Sequence, residues 1–378
     1  MTADGPTADG PTAGESAAGD AEVISRVDGP VGRLILNRPK AINALTHEMV
    51  LAMTEALDAW ATDDRIGCVV VTGAGDRGLC AGGDIRSIYR DARSGGTGSV
   101  DFWADEYRLN SFIARYPKPY VALMDGLVMG GGVGVSAHGS VRVVTERSRI
   151  AMPETGIGFV PDVGGTWLLS RIPGRIGIHA ALTAGTFSGR DAIAGGLADH
   201  LVPAARLPEL LDSLVAGTPP ADAVAALVEP ASAAPAGDAQ PADGRVWIDA
   251  CYAADTVEEI LERLRGHGDP EAAATAQVIA AKSPTALKVT LAALRRAAGL
   301  PDLDAALVQE FRVSTACLRS PDLAEGIRAQ IIDKDRTPHW SPATLVDVDA
   351  AAVERFFAVP AHGDLDLGLD RSHRTVTR

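Results

Sequence analysis

The residues best equipped for chemistry in this 378-residue chain lie in three glycine-lined stretches. Cys80-Ala81-Gly82-Gly83-Asp84 follows an apolar run at 68–72, and Gly130-Gly131-Gly132-Val133-Gly134 follows a second one. Met152-Pro153-Glu154-Thr155 and Phe159-Val160-Pro161-Asp162-Val163-Gly164-Gly165 then bring two carboxylates close together in sequence. Glycine lets backbone N–H groups approach a ligand because no side chain intervenes. One pair of such donors can hold an oxyanion while a carboxylate moves a proton or attacks carbon. Thioester acyl transfer needs that combination.

Each candidate also has a plainer reading. Glu154 could be a surface carboxylate at a turn. In a semi-apolar cleft its pKa would instead rise, and it could take a proton from water or attack a thioester directly. Asp162 before two nearby glycines suits an Asx turn or a helix cap as well as a site role. Gly83 and Gly131 could serve tight turns alone. The Gly131 N–H also falls at a predicted helix start, where negative charge is favoured. Other chemistries find little support. No Lys-Ser or Lys-Thr follows the glycine triplet, and the dinucleotide-binding spacing is absent. The eight histidines form no HExxH or paired spacing, so no metal is expected. Ser136 and His138 stand two apart without a nucleophile elbow.

The elements that must position these residues read as alternating strands and helices. Segments 23–27 and 33–37 flank Asp28-Gly29-Pro30 as a hairpin. Thr46 is placed to cap a helix over 47–61, with Val50, Met53, Leu57 and Trp60 on one face. Strands are predicted at 67–72, 121–125, 141–145 and 149–151, and a short buried helix at 131–138. This alternation predicts an α/β fold. Helical patterns follow at 257–265, 269–282, 284–298, 302–318 and 321–332. The domain reading is a low-complexity tail over 1–20, a core over 21–210 and an Ala/Pro/Gly-rich linker or insertion over 211–245. A helical region over 246–358 and a polar tail over 359–378 complete it.

Composition narrows the function classes. A net charge of −14 argues against a general nucleic-acid or anionic-membrane surface. No apolar run is long enough for a membrane span. The first twenty residues repeat Thr-Ala-Asp-Gly-Pro, lack Lys and Arg, and predict disorder rather than a targeting peptide. Cys68, Cys80, Cys251 and Cys317 show no paired spacing and read as buried free thiols, which suits a reducing cytoplasm.

Four ordered blocks, 80–86, 118–136, 151–165 and 325–340, resemble the crotonase (enoyl-CoA hydratase/isomerase) superfamily over residues 25–342. The resemblance is strongest to its 3-hydroxyisobutyryl-CoA hydrolase branch, which belongs to valine breakdown. It implies a ClpP-like spiral of ββα units, with C-terminal helices that cover the active site and join subunits into trimer-based oligomers. It implies an acyl-CoA thioester substrate and no separate cofactor, because CoA is part of the substrate. It assigns catalysis to Glu154 and Asp162, an oxyanion hole to Gly83 and Gly131, and a substrate contact to Glu106. Arg38, Lys40, Ala41, Ala81, Asp84 and Ile85 would meet CoA. One departure matters. Hydratases of the superfamily carry a second catalytic glutamate where this chain has Gly134. Two alternatives stay open: a hydratase or isomerase on the same scaffold, and a weakly catalytic CoA-thioester-binding protein.

Overall fold

The computed structural model describes residues 21–228 and 246–368. The tail predicted over 1–20 and residues 229–245 of the predicted 211–245 linker lie outside the described residues. Strands β1 (Val23–Asp28) and β2 (Val31–Leu36) form the expected antiparallel hairpin, with Val23 opposite Leu36. The chain then winds through three similar turns. Each gives one strand to a six-stranded sheet and the next to a four-stranded sheet before entering a helix. The pairs are β3 (Cys68–Gly73) with β4 (Gly78–Cys80), β5 (Tyr120–Met124) with β6 (Leu127–Met129), and β7 (Val141–Val144) with β8 (Arg149–Ala151). Strands β9 (Thr186–Ser188) and β10 (His200–Leu201) finish the sheets, in the orders β1-β2-β3-β5-β7-β10 and β4-β6-β8-β9. This is the expected spiral of ββα units.

The strands at its centre are apolar runs because both faces of the large sheet are covered. Successive side chains alternate across a strand. Leu34, Val69, Val71, Ala122 and Val144 therefore enter the main core. Val31, Cys68, Val70, Val121 and Val143 enter a smaller core on the opposite face. Leu210, Leu214 and Val224 cover that second face from helices Leu207–Val215 and Pro220–Ala225. The predicted linker thus starts too early at 211. Its first part reads as Ala- and Pro-rich in sequence, yet it is helical and packed because the strand residues above it need an apolar cover.

The helix boundaries follow side-chain caps. Thr46 accepts from Met49 N ahead of helix His47–Ala61, and Val50, Met53, Leu57 and Trp60 are all buried. Ser283, Asp302 and Asp269 cap the helices Pro284–Ala297, Leu303–Arg319 and Pro270–Ala280. The glycine-rich helix is shorter than predicted and spans Gly131–Gly134, although Val135, Ser136 and Ala137 remain buried in the turns that continue it. The polar tail predicted from 359 is also corrected for its described part. Leu365 is buried, Arg312 pairs with Asp364, and Arg108 Nε donates to the Asp366 carbonyl at 2.8 Å. Among the described residues, no helix is long and apolar enough to cross a membrane.

Candidate active site

A cavity of about 510 Å³ opens where the first two spiral turns meet the C-terminal helices. Its floor is built by the two glycine stretches. Leu45 bridges the first, taking a bond from Asp84 N and giving one to Gly82 O, each at 2.8 Å. That bridge holds Gly82, at φ +109°, and Gly83 against the start of helix Gly131–Gly134. The N–H groups of Gly83 and Gly131 donate to no backbone acceptor among the described residues, and both glycines line the cavity. A helix leaves its first N–H groups without intrahelical partners. A side chain here would push directly on the site carboxylates. A Cβ at Gly131 would come within 2.6 Å of Glu106 Oε1, and one at Gly130 within 2.9 Å of Glu154 Oε1.

The structure brings Glu106, Glu154 and Asp162 into this one cavity. Glu154 opens the 3-10 turn Glu154–Ile157 directly after β8. It is 7% exposed, and its Oε2 has no hydrogen-bond partner. Glu106 is buried on helix Gly98–Ala114, with Oε1 likewise unpartnered. Burial, and then the nearby Asp162 charge, push both carboxyls well above their usual range. Asp162 Oδ2 accepts from the Tyr107 hydroxyl at 2.8 Å, and Tyr107 Oη shares a second bond with Ser314 Oγ. Burial raises Asp162 to about 7 against the pull of that phenol. The site is therefore a cluster of buried acids, each with its pKa raised above the usual carboxylate range.

The CoA-contact candidates separate into two groups. Ala81 and Ile85 line the cavity beside Gly82 and Gly83. Arg38 does not, because its guanidinium donates to Ala44 O at 2.6 Å and pairs with Asp84 and Glu22. Asp84 caps the helix Ile85–Ser94 by accepting from Arg86 N. Lys40 and Ala41 sit exposed on the 3-10 turn Pro39–Ala41, outside the cavity lining. The cations that do line the cavity are Lys282 and Arg336, both from the C-terminal region. Ser136 and His138 form no dyad. Ser136 Oγ donates to Gly132 O, while His138 Nε2 meets Val163 O at 2.8 Å.

Three supporting residues escaped the sequence reading. Tyr107 and Ser314 orient Asp162. Glu310 is buried on helix Leu303–Arg319 and accepts from Gly164 N at 2.6 Å and from Thr166 N at 2.8 Å. It thereby braces the turn after Asp162, where Val163 adopts φ +52°. A β-branched residue in that region is strained, and such strain persists where neighbours over-determine it. A signal for Glu310 did exist. Leu303, Leu307, Glu310, Ser314 and Cys317 share one helical stripe, and a carboxylate on an otherwise apolar stripe needs partners.

The Asp162 environment predicts a stability trade. An aspartate near 3.8 in the unfolded chain and about 7 in the fold binds an extra proton when folded between those values. Its favourable contribution is complete below about 3.8 and is lost as pH rises through about 7. Asp162→Asn keeps an acceptor for Tyr107 and removes the charge. It should therefore melt higher than wild type at pH 8 and close to it at pH 4, even as activity falls. Thermal melts at the two pH values check this, and an equal gain at both would contradict the burial argument.

Residues 31–357 match the enoyl-CoA hydratase/isomerase family. The mitochondrial 3-hydroxyisobutyryl-CoA hydrolase of Rattus norvegicus is 42% identical over 350 residues, covering 91% of this chain and 91% of the relative. Among solved structures, a carnitinyl-CoA dehydratase from Mycobacterium thermoresistibile superposes with TM-score 0.87 at 54% identity, covering 92% of this chain and 99% of its own. An enoyl-CoA hydratase from Rhodobacter sphaeroides gives 0.84 at 40% identity, with coverage of 92% and 100%.

Proposed function

Because the chain belongs to the enoyl-CoA hydratase/isomerase family, we propose that its cavity serves thioester hydrolysis, converting 3-hydroxyisobutyryl-CoA and water to 3-hydroxyisobutyrate and CoA. The observation that carries this reading is the pairing of Glu154 and Asp162 opposite Gly83 and Gly131, with no side chain at 134. The thioester oxygen would sit between the Gly83 and Gly131 amides, which stabilise the charge that develops on it. Glu154 would work on the carbonyl carbon, either by taking the proton of an attacking water or as the nucleophile itself. In both routes the C–S bond breaks and the sulfur leaves as CoA thiolate, which takes up a proton; in the covalent route water then cleaves the acyl–Glu154 anhydride at the Glu154 carbonyl carbon, releasing 3-hydroxyisobutyrate and restoring the carboxylate. Single turnover in ¹⁸O-labelled water separates them, since only the covalent route leaves label in Glu154.

Asp162 and Glu106 would set the acyl specificity. Asp162, fixed by Tyr107, would hydrogen-bond the 3-hydroxyl, and Glu106 would meet the substrate beside Gly131. Stacked Trp103 and Phe159, 5.5 Å apart, give the acyl chain an apolar wall. Removing a polar partner erases discrimination for the group it recognises. Asp162→Ala should therefore lose activity on 3-hydroxyacyl-CoA about tenfold or more beyond its loss on the plain acyl analogue. Equal losses on the two thioesters would instead assign Asp162 to positioning water.

The hydrolase name of the rat relative supports this reading, and a role in valine breakdown follows from the substrate. The dehydratase and hydratase names of the two solved relatives favour a second reading, addition of water to a 2-enoyl-CoA. A thiol-release assay run beside crotonyl-CoA hydration distinguishes the two. Four free, buried cysteines are in keeping with a reducing compartment. We place the enzyme in the cytoplasm, although the rat relative is named mitochondrial.

A further inference from the structure

The block at 325–340 carries none of the catalytic groups, yet Gln330, Ile331, Arg336, Pro338 and Trp340 from it line the cavity. Its backbone is unusual. Helix Pro321–Ile327 passes into a π turn, Arg328–Ile332, and Lys334 and Arg336 then adopt φ +60° and +58°. Non-glycine residues in that region persist only where surrounding contacts fix them. The contacts converge on one side chain. Arg328 grips Glu325 with both arms of its fork, at 2.9 and 2.8 Å. Its Nη1 reaches Asp333 at 2.8 Å and Asp335 at 2.6 Å, and its Nη2 reaches the Thr337 carbonyl. Glu325 in turn accepts from His339 N at 2.7 Å, and Trp340 Nε1 donates to Ala281 O at 3.0 Å.

We propose that Arg328 is a positioning residue for acyl-CoA binding: its clasp on Glu325, Asp333, Asp335 and Thr337 holds 333–340 as a preformed wall of the cavity. The ligand assignment rests on the acyl-CoA reading above. Fixing a segment in its bound conformation beforehand removes the ordering cost from binding. Only a planar fork can serve these partners together, so lysine is not an equivalent replacement. Loss of the clasp frees Lys334 and Arg336 to relax toward ordinary backbone angles, which withdraws Arg336 and Trp340 from the cavity. The catalytic carboxylates, anchored on other elements, keep their places.

The test compares wild type, Arg328→Lys, Arg328→Ala and Asp335→Asn. Free CoA affinity is read by calorimetry, kcat and KM by thiol release, and folding by thermal melts. Arg328→Lys and Arg328→Ala should raise the CoA Kd and the thioester KM about tenfold, with kcat within about threefold. Asp335→Asn should move the same constants in the same direction, by less. Should Arg328→Ala fail to fold, the other two variants carry the comparison. Unchanged Kd and KM, or a fall in kcat alone, would overturn the proposal. CoA binding without any thioester cleavage by wild type would refute the hydrolase reading while the Kd comparison still decides the clasp. A wild-type protein that does not bind CoA refutes both.

Discussion

Glu154→Gln should cut thioester hydrolysis by at least about 10²–10⁴-fold, the range for removing a general acid or base. CoA affinity should stay within a few-fold. The amide has nearly the same shape, and the carboxylate it replaces leaves Oε2 without a hydrogen-bond partner, so no bond is lost there. What disappears is the ability to accept a proton or attack carbon. Folding should not suffer. Glu154 is buried beside Asp162 and its pKa is raised, so its ionised form is a liability to the fold. The same shift predicts that wild-type activity falls on acidification well above the usual carboxylate range. Steady-state rates of the purified variant, with calorimetry on free CoA, decide the matter. Turnover near the wild-type level would remove Glu154 from the mechanism.

Local pattern was enough to find the parts of the site that lie on turns and strands. Gly83, Gly131, Glu154 and Asp162 sit in short motifs flanked by apolar runs, so their elements follow from alternation and glycine spacing. The packing between distant segments was not legible. Glu106 lies on a helix where local sequence reads as solvated, and only the fold shows that the helix faces the cavity. Tyr107 meets Asp162 and Ser314 across separations that no single-sequence periodicity encodes. Arg38 and Lys40 show a second limit of local sequence. Charge and position offer both as phosphate partners, while the fold adds that Arg38 bonds Ala44, Asp84 and Glu22 and that both residues lie outside the cavity lining. Positive charge at the cavity comes instead from Lys282 and Arg336, which are remote in sequence. The misplaced linker has a similar cause. Ala- and Pro-rich composition suggests weak order, while helices Leu207–Val215 and Pro220–Ala225 are stabilised by the sheet face that they cover.

Wild-type protein should release CoA from 3-hydroxyisobutyryl-CoA and hydrate crotonyl-CoA poorly, and Gly134→Glu should not reverse that preference. A hydratase needs a second carboxylate to deliver water across the double bond, and the superfamily resemblance implies that hydratases carry it at the place of Gly134. In this fold the space is already taken. A Cβ on Gly134 would lie 2.7 Å from Val163 Cβ and 2.8 Å from Asn110 Nδ2, closer than real side chains approach. Val163 cannot easily yield, because its strained backbone is held by His138 at its carbonyl and by Glu310 through the next residue's N–H. Overfilling such a core typically costs about 1–3 kcal/mol, so even Gly134→Ala should lower Tm measurably. Glutamate adds a further carboxyl to a cluster that already contains Glu106, Glu154 and Asp162. One of these groups must then hold its proton, or the charges repel in a poorly solvated space. Gly134→Glu should therefore melt well below wild type and gain no crotonyl-CoA hydration. The wild-type comparison is the sharper arm. Efficient hydration of crotonyl-CoA without thiol release from the 3-hydroxyacyl thioester would show that water is delivered without a carboxylate at 134, and the hydrolase reading would fall with it.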